Sequence, residues 1–342
     1  IEPEVGAPQT AAWETSPHVK EEEFTRAVAL GLFDYLRKSR SHGFVVSLSG
    51  GADSSSVACL VTLMAEMACE ELGHEAFKNA LGYIEGLADA TSHRDRASRL
   101  LHCVYQATKN SSKITRRAAV TRAEALGANM ACLEIDTLVE GYVSGIEGVL
   151  DRELAWETDD LALQNIQARV RAPGAWMIAN LENALLLSTS NRSEAAVGYA
   201  TMDGDTCGGL SPIAGIDKAF LLHWLKWLEH EGAQGIEPIA ALKAINDQRP
   251  TAELRPADQA QTDESDLMPY PILDFIERQA IRDKKAPAEV YQALSGQFAD
   301  YDREHLRQFV VRFFRLWSRN QWKLSLIHIS EPTRPSKSSR MP

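Results

Sequence analysis

The sequence predicts an α/β protein, a doubly wound parallel sheet with a helical C-terminal part. Three observations carry this. Short apolar runs alternate with segments of helical periodicity from Glu21 to Glu229, as in strands joined by crossover helices. The first apolar run ends in Ser49-Gly50-Gly51-Ala52-Asp53-Ser54 and passes straight into a helical pattern. The last third, from Ile272 to Trp317, shows helical patterns only.

The elements follow in order. Glu21 to Arg37 places Phe24, Val28, Leu32 and Leu36 on one helical face. Phe44 to Leu48 is the first strand, and Val57 to Leu72 the helix after the glycine turn, closed at Gly73. Residues 74–101 carry weak signals and many charges, and read as a helical insertion or a mobile loop. Cys103 to Gln106 is a short strand, Asn110 to Leu126 a helix closed by Gly127, Met130 to Ile135 a strand and Leu138 to Leu150 a helix. Leu161 to Asn183 is a long helix with a kink expected at Pro173. Ala184 to Thr189 is the next buried strand, and Lys218 to Glu229 a helix in which Trp224 and Trp227 read as packing. Ile272 to Ile281, Glu289 to Leu294 and Arg303 to Trp317 complete the helical part.

The 342 residues are 44% hydrophobic, enough for one large core. A net charge of -11 argues against a general nucleic-acid binder, which needs clustered cations for phosphate. Five cysteines without a C-x-x-C pair read as reduced, mostly core thiols of a cytoplasmic protein. No apolar run is read as membrane-spanning, and no signal peptide opens the chain. Residues 1–19 read as a linker remnant, 20–323 as the folded domain and 324–342 as a non-native tail.

A glycine turn between a strand and a helix exposes backbone N–H groups that bind phosphate. The usual phosphate loop has a lysine before its last hydroxyl residue, and here none is present. Asp53 stands in the loop instead, where it could hold a metal against the phosphates. The hydroxyls of Ser47, Ser49, Ser54, Ser55 and Ser56 crowd the same turn, and outweigh the reading of a turn without ligand. A second strand end leads into Ser188-Thr189-Ser190-Asn191-Arg192-Ser193-Glu194. Alone it reads as a helix cap, with Ser190 or Asn191 capping and Glu194 closing a capping box. Paired with the first, it suggests one Mg²⁺ shared by Asp53 and Glu194 over a triphosphate. Gly198 to Ile213 holds four glycines and two acids and reads as a loop passing close to something or as a surface loop; Cys207 within it has no local histidine partner and is a weak nucleophile candidate.

The glycine loop resembles the PP-loop of the adenylating amidotransferases. Within that superfamily, Asn165-Ile166-Gln167-Ala168-Arg169, Ser188 to Glu194, Gly204-Asp205, Pro212-Ile213, Lys218, Pro250-Thr251-Ala252-Glu253-Leu254 and Gln261-Thr262-Asp263-Glu264 resemble, in order, the NAD synthetase family. The resemblance covers roughly residues 20–320. It implies an adenine-nucleotide, Rossmann-like fold and ATP-dependent amidation of deamido-NAD to NAD, through an acyl adenylate with release of AMP and pyrophosphate. It also implies a homodimer. By the same resemblance Ser47, Leu48, Ser49, Gly50, Gly51, Ala52, Asp53 and Ser54 cradle the phosphates, and Thr189, Lys218 and Thr251 contact ATP. Asp53, Glu194 and Lys218 are the catalytic set, with Mg²⁺ on Asp53 and Glu194. Asn165, Arg169 and Asp205 face the dinucleotide. On the residues alone Lys218 also fits a solvated helix start, Arg169 a partner for a surface acid, and Thr251 a turn. Ammonia-using relatives have Lys at the position of Met202 and Asp at that of Gly209. The form Thr201-Met202-Asp203-Gly204-Asp205 resembles the glutamine-dependent branch, whose nitrilase-like glutaminase domain supplies ammonia and is expected to lie outside this chain. The competing readings are another PP-loop adenylating ligase, similar to GMP synthetase, and a truncated chain that binds ATP without catalysis.

Overall fold

The fold is described by a computed structural model covering residues 10–109, 111, 113–247 and 263–324. Four strands form the sheet: β1 (Phe44–Ser47), β2 (Leu101–Ala107), β3 (Asn129–Glu134) and β4 (Leu185–Leu187). All are parallel, in the order β3-β2-β1-β4. Phe44 pairs with Leu101 on one side and with Leu185 on the other. The chain therefore steps outward from β1 to β2 to β3 and then returns to place β4 beyond β1. Such a reversal opens a crevice at the carboxyl ends of the two diverging strands.

The helices are α1 (Val19–Ser39), α2 (Ala52–Leu72), α3 (His74–Leu81), α4 (His93–Leu100), α5 (Lys113–Ala125), α6 (Asp136–Leu150), α7 (Trp156–Leu181), α8 (Arg192–Val197), α9 (Lys218–His230), α10 (Lys243–Asn246), α11 (Asp263–Asp266), α12 (Tyr270–Glu277), α13 (Pro287–Gln297) and α14 (Arg303–Leu324). Period-two alternation along the strands divides the core. Phe44, Val46, Cys103 and Tyr105 face a large cluster built with α1, α2, α5 and α9. Val45, Val104 and Leu186 face Ala175 and Ala179 of α7. A separate cluster joins α8 to α12, α13 and α14 through Val197, Tyr270, Leu273, Leu306 and Phe313.

Several expectations change. Residues 74–101 take the helical alternative and not the mobile loop: α3, α4 and the turns between them bury Phe77, Leu81, Ile84, Leu87 and Leu100 in the main core. Their helices are only eight residues each, too short for periodicity to outweigh the charges of His93-Arg94-Asp95-Arg96. The kink in α7 falls at Asp159, not Pro173. The Asp159 carboxylate accepts from Arg152, Thr158 and the Ala155 N–H, so side-chain bonds compete with the helix there. Helix α2 is long and apolar enough to cross a bilayer, contrary to the sequence reading, and the fold buries 78% of that window. Of the cysteines, Cys59 and Cys103 are buried, Cys69 and Cys207 half-buried and Cys132 exposed, so fewer are core thiols than expected. Trp224 and Trp227 are buried packing residues.

Candidate active site

The glycine turn lies where β1 ends, at the crevice. Gly50 has φ +89, a conformation that a side chain disfavours. Gly51 is the N-cap of α2 and offers no side chain to the first turn. The leading N–H groups of α2 therefore point to the crevice without a side-chain acceptor, at the positive end of a 21-residue helix. Ser49 and Ser54 brace the turn through an Oγ–Oγ contact of 3.1 Å, and Ser49 Oγ accepts from the Gly51 N–H. Ser47 accepts weakly from Gln106 Nε2, at 3.4 Å. Leu48 is committed to the sheet: its N–H bonds the Val104 carbonyl and its side chain is in the core. Ala52 is buried, and Ser55 and Ser56 turn back to carbonyls of Gly51 and Ala52 rather than to the crevice.

The end of β4 supplies the opposite wall. Ser188 N–H bonds the Leu210 carbonyl, and the 208–210 segment lies against β4. A Cβ on Gly208 would come within 2.5 Å of the Ser188 nitrogen, so only glycine permits that approach. Thr189 is half-buried beside it. Asn191 is fully buried and does two things: its Oδ1 caps α8 at the Glu194 N–H, and its Nδ2 donates to Asp53 Oδ1 at 3.0 Å. The capping half of the helix-cap reading thus holds, and the Glu194 carboxylate is left for other work.

That work is with Lys218. Its ammonium, 2% exposed, bonds Asp53 Oδ2 and lies 3.0 Å from Glu194 Oε1. Residues 53, 194 and 218 come from three helix N-termini, so the solvated-lysine reading falls. An unpaired carboxylate pair would not be stable in so dry a place; the lysine compensates it. Two hard oxygen donors converging on one cation also fit Mg²⁺, which takes one or two carboxylates plus phosphate oxygens. Among the described residues no third His, Cys, Asp or Glu joins them.

A second group sits beside the first. Asn165 Oδ1 accepts from the Thr201 hydroxyl at 3.0 Å, Asp205 Oδ1 accepts from the Thr201 N–H at 2.7 Å, and Arg169 Nε donates to the Met202 carbonyl. Arg169 thus bonds a loop carbonyl rather than a surface acid. Asp205 is close enough to Asp53 to feel its charge. Lys323, near the end of α14, donates to the Gly198 and Ala200 carbonyls and faces both Asp205 and Arg169. The half-buried Cys207 thiol is pushed up to about 11, chiefly by burial, which removes it as a nucleophile at neutral pH. Thr251 lies outside the described residues. Asn191 and Lys323 were not among the expected site residues; Asn191 was visible in its motif, and Lys323 stands where the family resemblance places a basic C-terminal segment near the substrate.

Comparison with known proteins places this geometry. The NAD synthase family model matches residues 24–325. Glutamine-dependent NAD(+) synthetase of Oryza sativa subsp. indica is 32% identical over 345 residues, covering 94% of this chain and 46% of that protein. The Aquifex aeolicus protein of the same name is 34% identical, over 79% of this chain and 40% of its own length. The crystal structure of a glutamine-dependent NAD(+) synthetase from Cytophaga hutchinsonii superposes with a TM-score of 0.77 at 43% identity, covering 89% of this chain and 50% of that one. The chain spans about half the length of the curated relatives it matches.

Proposed function

This chain belongs to the NAD synthase family, and on that premise we propose that it carries out ATP-dependent amidation of deamido-NAD to NAD with ammonia as the immediate nitrogen donor. The observation that carries the proposal is the convergence of Asp53, Glu194 and Lys218 at the crevice between β1 and β4. The N–H groups opening α2 hold the triphosphate. Lys218, rather than a loop lysine, supplies counter-charge as pyrophosphate departs from the α-phosphorus. Asp53 and Glu194 would hold Mg²⁺, which when bound neutralises phosphate oxygens. The carboxylate of deamido-NAD attacks the α-phosphorus, giving an acyl adenylate; ammonia then displaces AMP. Asn165, Arg169 and Asp205 line the dinucleotide side. Among the alternatives, a GMP-synthetase-like ligase lacks support from the family match, which runs over nearly the whole described fold.

The test is direct. The chain with ATP, Mg²⁺, deamido-NAD and ammonium is expected to yield NAD and AMP in equal amounts, and EDTA to stop both. Tight ATP binding without NAD formation would overturn the ligase reading and leave a nucleotide-binding chain.

We also propose a homodimer through α6 and α7. Leu138, Tyr142, Ile146 and Val149 form one stripe on α6, which buries no residue, and Met177 and Leu181 continue the apolar surface on α7. Val149 and Leu181 are each 79% exposed. An apolar surface of this extent is typical of an interface, and α7, against which α6 packs, covers that face of the sheet with Ala175 and Ala179. A second copy can cover the same patch isologously. Sedimentation is expected to show a dimer, and the double substitution Tyr142→Glu with Val149→Glu a folded monomer. A monomeric parent, or a double variant that remains dimeric, would refute this surface.

A further inference from the structure

One face of α12 is built against the two helix starts that carry Glu194 and Lys218. Asp274, 2% exposed, takes the Ser193 hydroxyl on Oδ1 and the Ala219 N–H on Oδ2, the latter at 2.9 Å. Ser193 Oγ in turn accepts from the Lys218 N–H at 2.8 Å. A single carboxylate therefore ties the residue before Glu194 to the residue after Lys218. One turn earlier on α12, the buried Tyr270 places its ring 5.5 Å from the Lys218 ammonium, within cation–π range. Tyr270 is itself set by Glu264, whose Oε1 accepts the Tyr270 N–H at 3.1 Å. On the far side Glu277 pairs with Arg192 at 3.1 Å, and Arg192 also bonds Asp217, the N-cap of α9. Positions 270, 274 and 277 lie on one helical face. All three engage α8 or α9.

We propose that Asp274, with Tyr270 beside it, is a positioning residue that fixes the separation of Glu194 and Lys218. Keeping a carboxylate in this place is costly. Burial pushes the Asp274 carboxyl up to about 6, against the lowering by its Ser193 and Ala219 donors. Asparagine would avoid that cost, but could not accept from both donors with the same geometry, because one of its two ends is itself a donor. An ionised carboxylate with two convergent donors is the strongest available bracket between α8 and α9. The link matters because the ammonium must meet two carboxylates from different helices within a few tenths of an ångström, and such placement is lost when the supporting bonds go.

This proposal rests on the ligase reading for its rate readout and not for its binding readout. The experiment is a double-mutant cycle on Mg·ATP affinity, by calorimetry, together with kcat and KM for deamido-NAD. Asp274→Asn is expected to weaken ATP binding about tenfold and lower kcat by a similar factor, with KM for deamido-NAD within about twofold. Ser193→Ala, which cuts the same link while sparing the Ala219 bond, is expected to act in the same direction more weakly. Because the bracket works through the lysine, Asp274→Asn added to Lys218→Met is expected to cause no further loss. Additive losses in that cycle, or a KM effect as large as the kcat effect, would overturn the positioning role. A parent chain that binds ATP but forms no NAD sinks the ligase reading, and the affinity cycle still decides the bracket.

Discussion

Lys218→Met is expected to lower NAD formation by about 10²–10³-fold and, in the same protein, to reduce stability by about 3–5 kcal/mol. The two effects have one origin. Without ligand the ammonium compensates Asp53 and Glu194, which face one another from α2 and α8 with little solvent between them. Methionine keeps the volume and leaves two carboxylates without their shared cation, the situation in which breaking a buried pair is most costly. Combining Lys218→Met with Asp53→Asn is therefore expected to recover part of the lost stability and none of the lost rate. Thermal unfolding and a steady-state NAD assay separate these outcomes. A Lys218→Met protein as stable as the parent would mean that the triad is solvated. A parental rate would remove the lysine as counter-charge to the leaving pyrophosphate.

The same triad shows where the sequence was readable. The strand–glycine–helix succession at 44–54 and the apolar run before Ser188 are local signals, and both strands stand where periodicity and composition place them. Their adjacency in the sheet is not local. It follows from β4 returning to pair with β1, and only then do Asp53 and Asn191, 138 positions apart in the chain, meet. Lys218 carried no sign of its burial beyond its place at a helix start. The resemblance named it; the packing of α9 against α2 shows why a lysine can survive there. Asp274 looked like any acid in an apolar helix, Tyr270-Pro271-Ile272-Leu273-Asp274, and its partners are 81 and 55 residues away. Pro173 misled for a different reason. It precedes Gly174, whose missing side chain lets α7 approach Gln106 of β2, since a Cβ there would lie 3.0 Å from Gln106 Oε1. Helix-to-sheet packing holds the segment straight through a residue that in isolation predicts a bend.

Arg122→Met is expected to stabilise the protein, which is unusual for a substitution at a site only 1% exposed. Arg122 sits on α5 inside the main core, and none of its three guanidinium nitrogens has a hydrogen-bond partner among the described residues. Burial depresses it from 12.5 to about 10, a shift worth about 3 kcal/mol against the folded state. Cys59 and Cys103, the ionisable groups that act on it, offer no relief. Burial pushes both thiols up to about 12, so at neutral pH they are protonated. The direction with pH follows from the depressed value: the cost is present at every pH below about 10 and fades only as pH rises through 10 toward 12.5. Buffers in the ordinary range therefore cannot remove it, whereas an apolar side chain of similar length can. The thermal midpoint should rise by about 2–4 °C for each kcal/mol recovered. A lower midpoint would show that the guanidinium is paired in solution. Thiolate absorbance lost in Cys59→Ala or Cys103→Ala at neutral pH would then identify the partner, and would turn an apparent liability of the core into a buried ion pair.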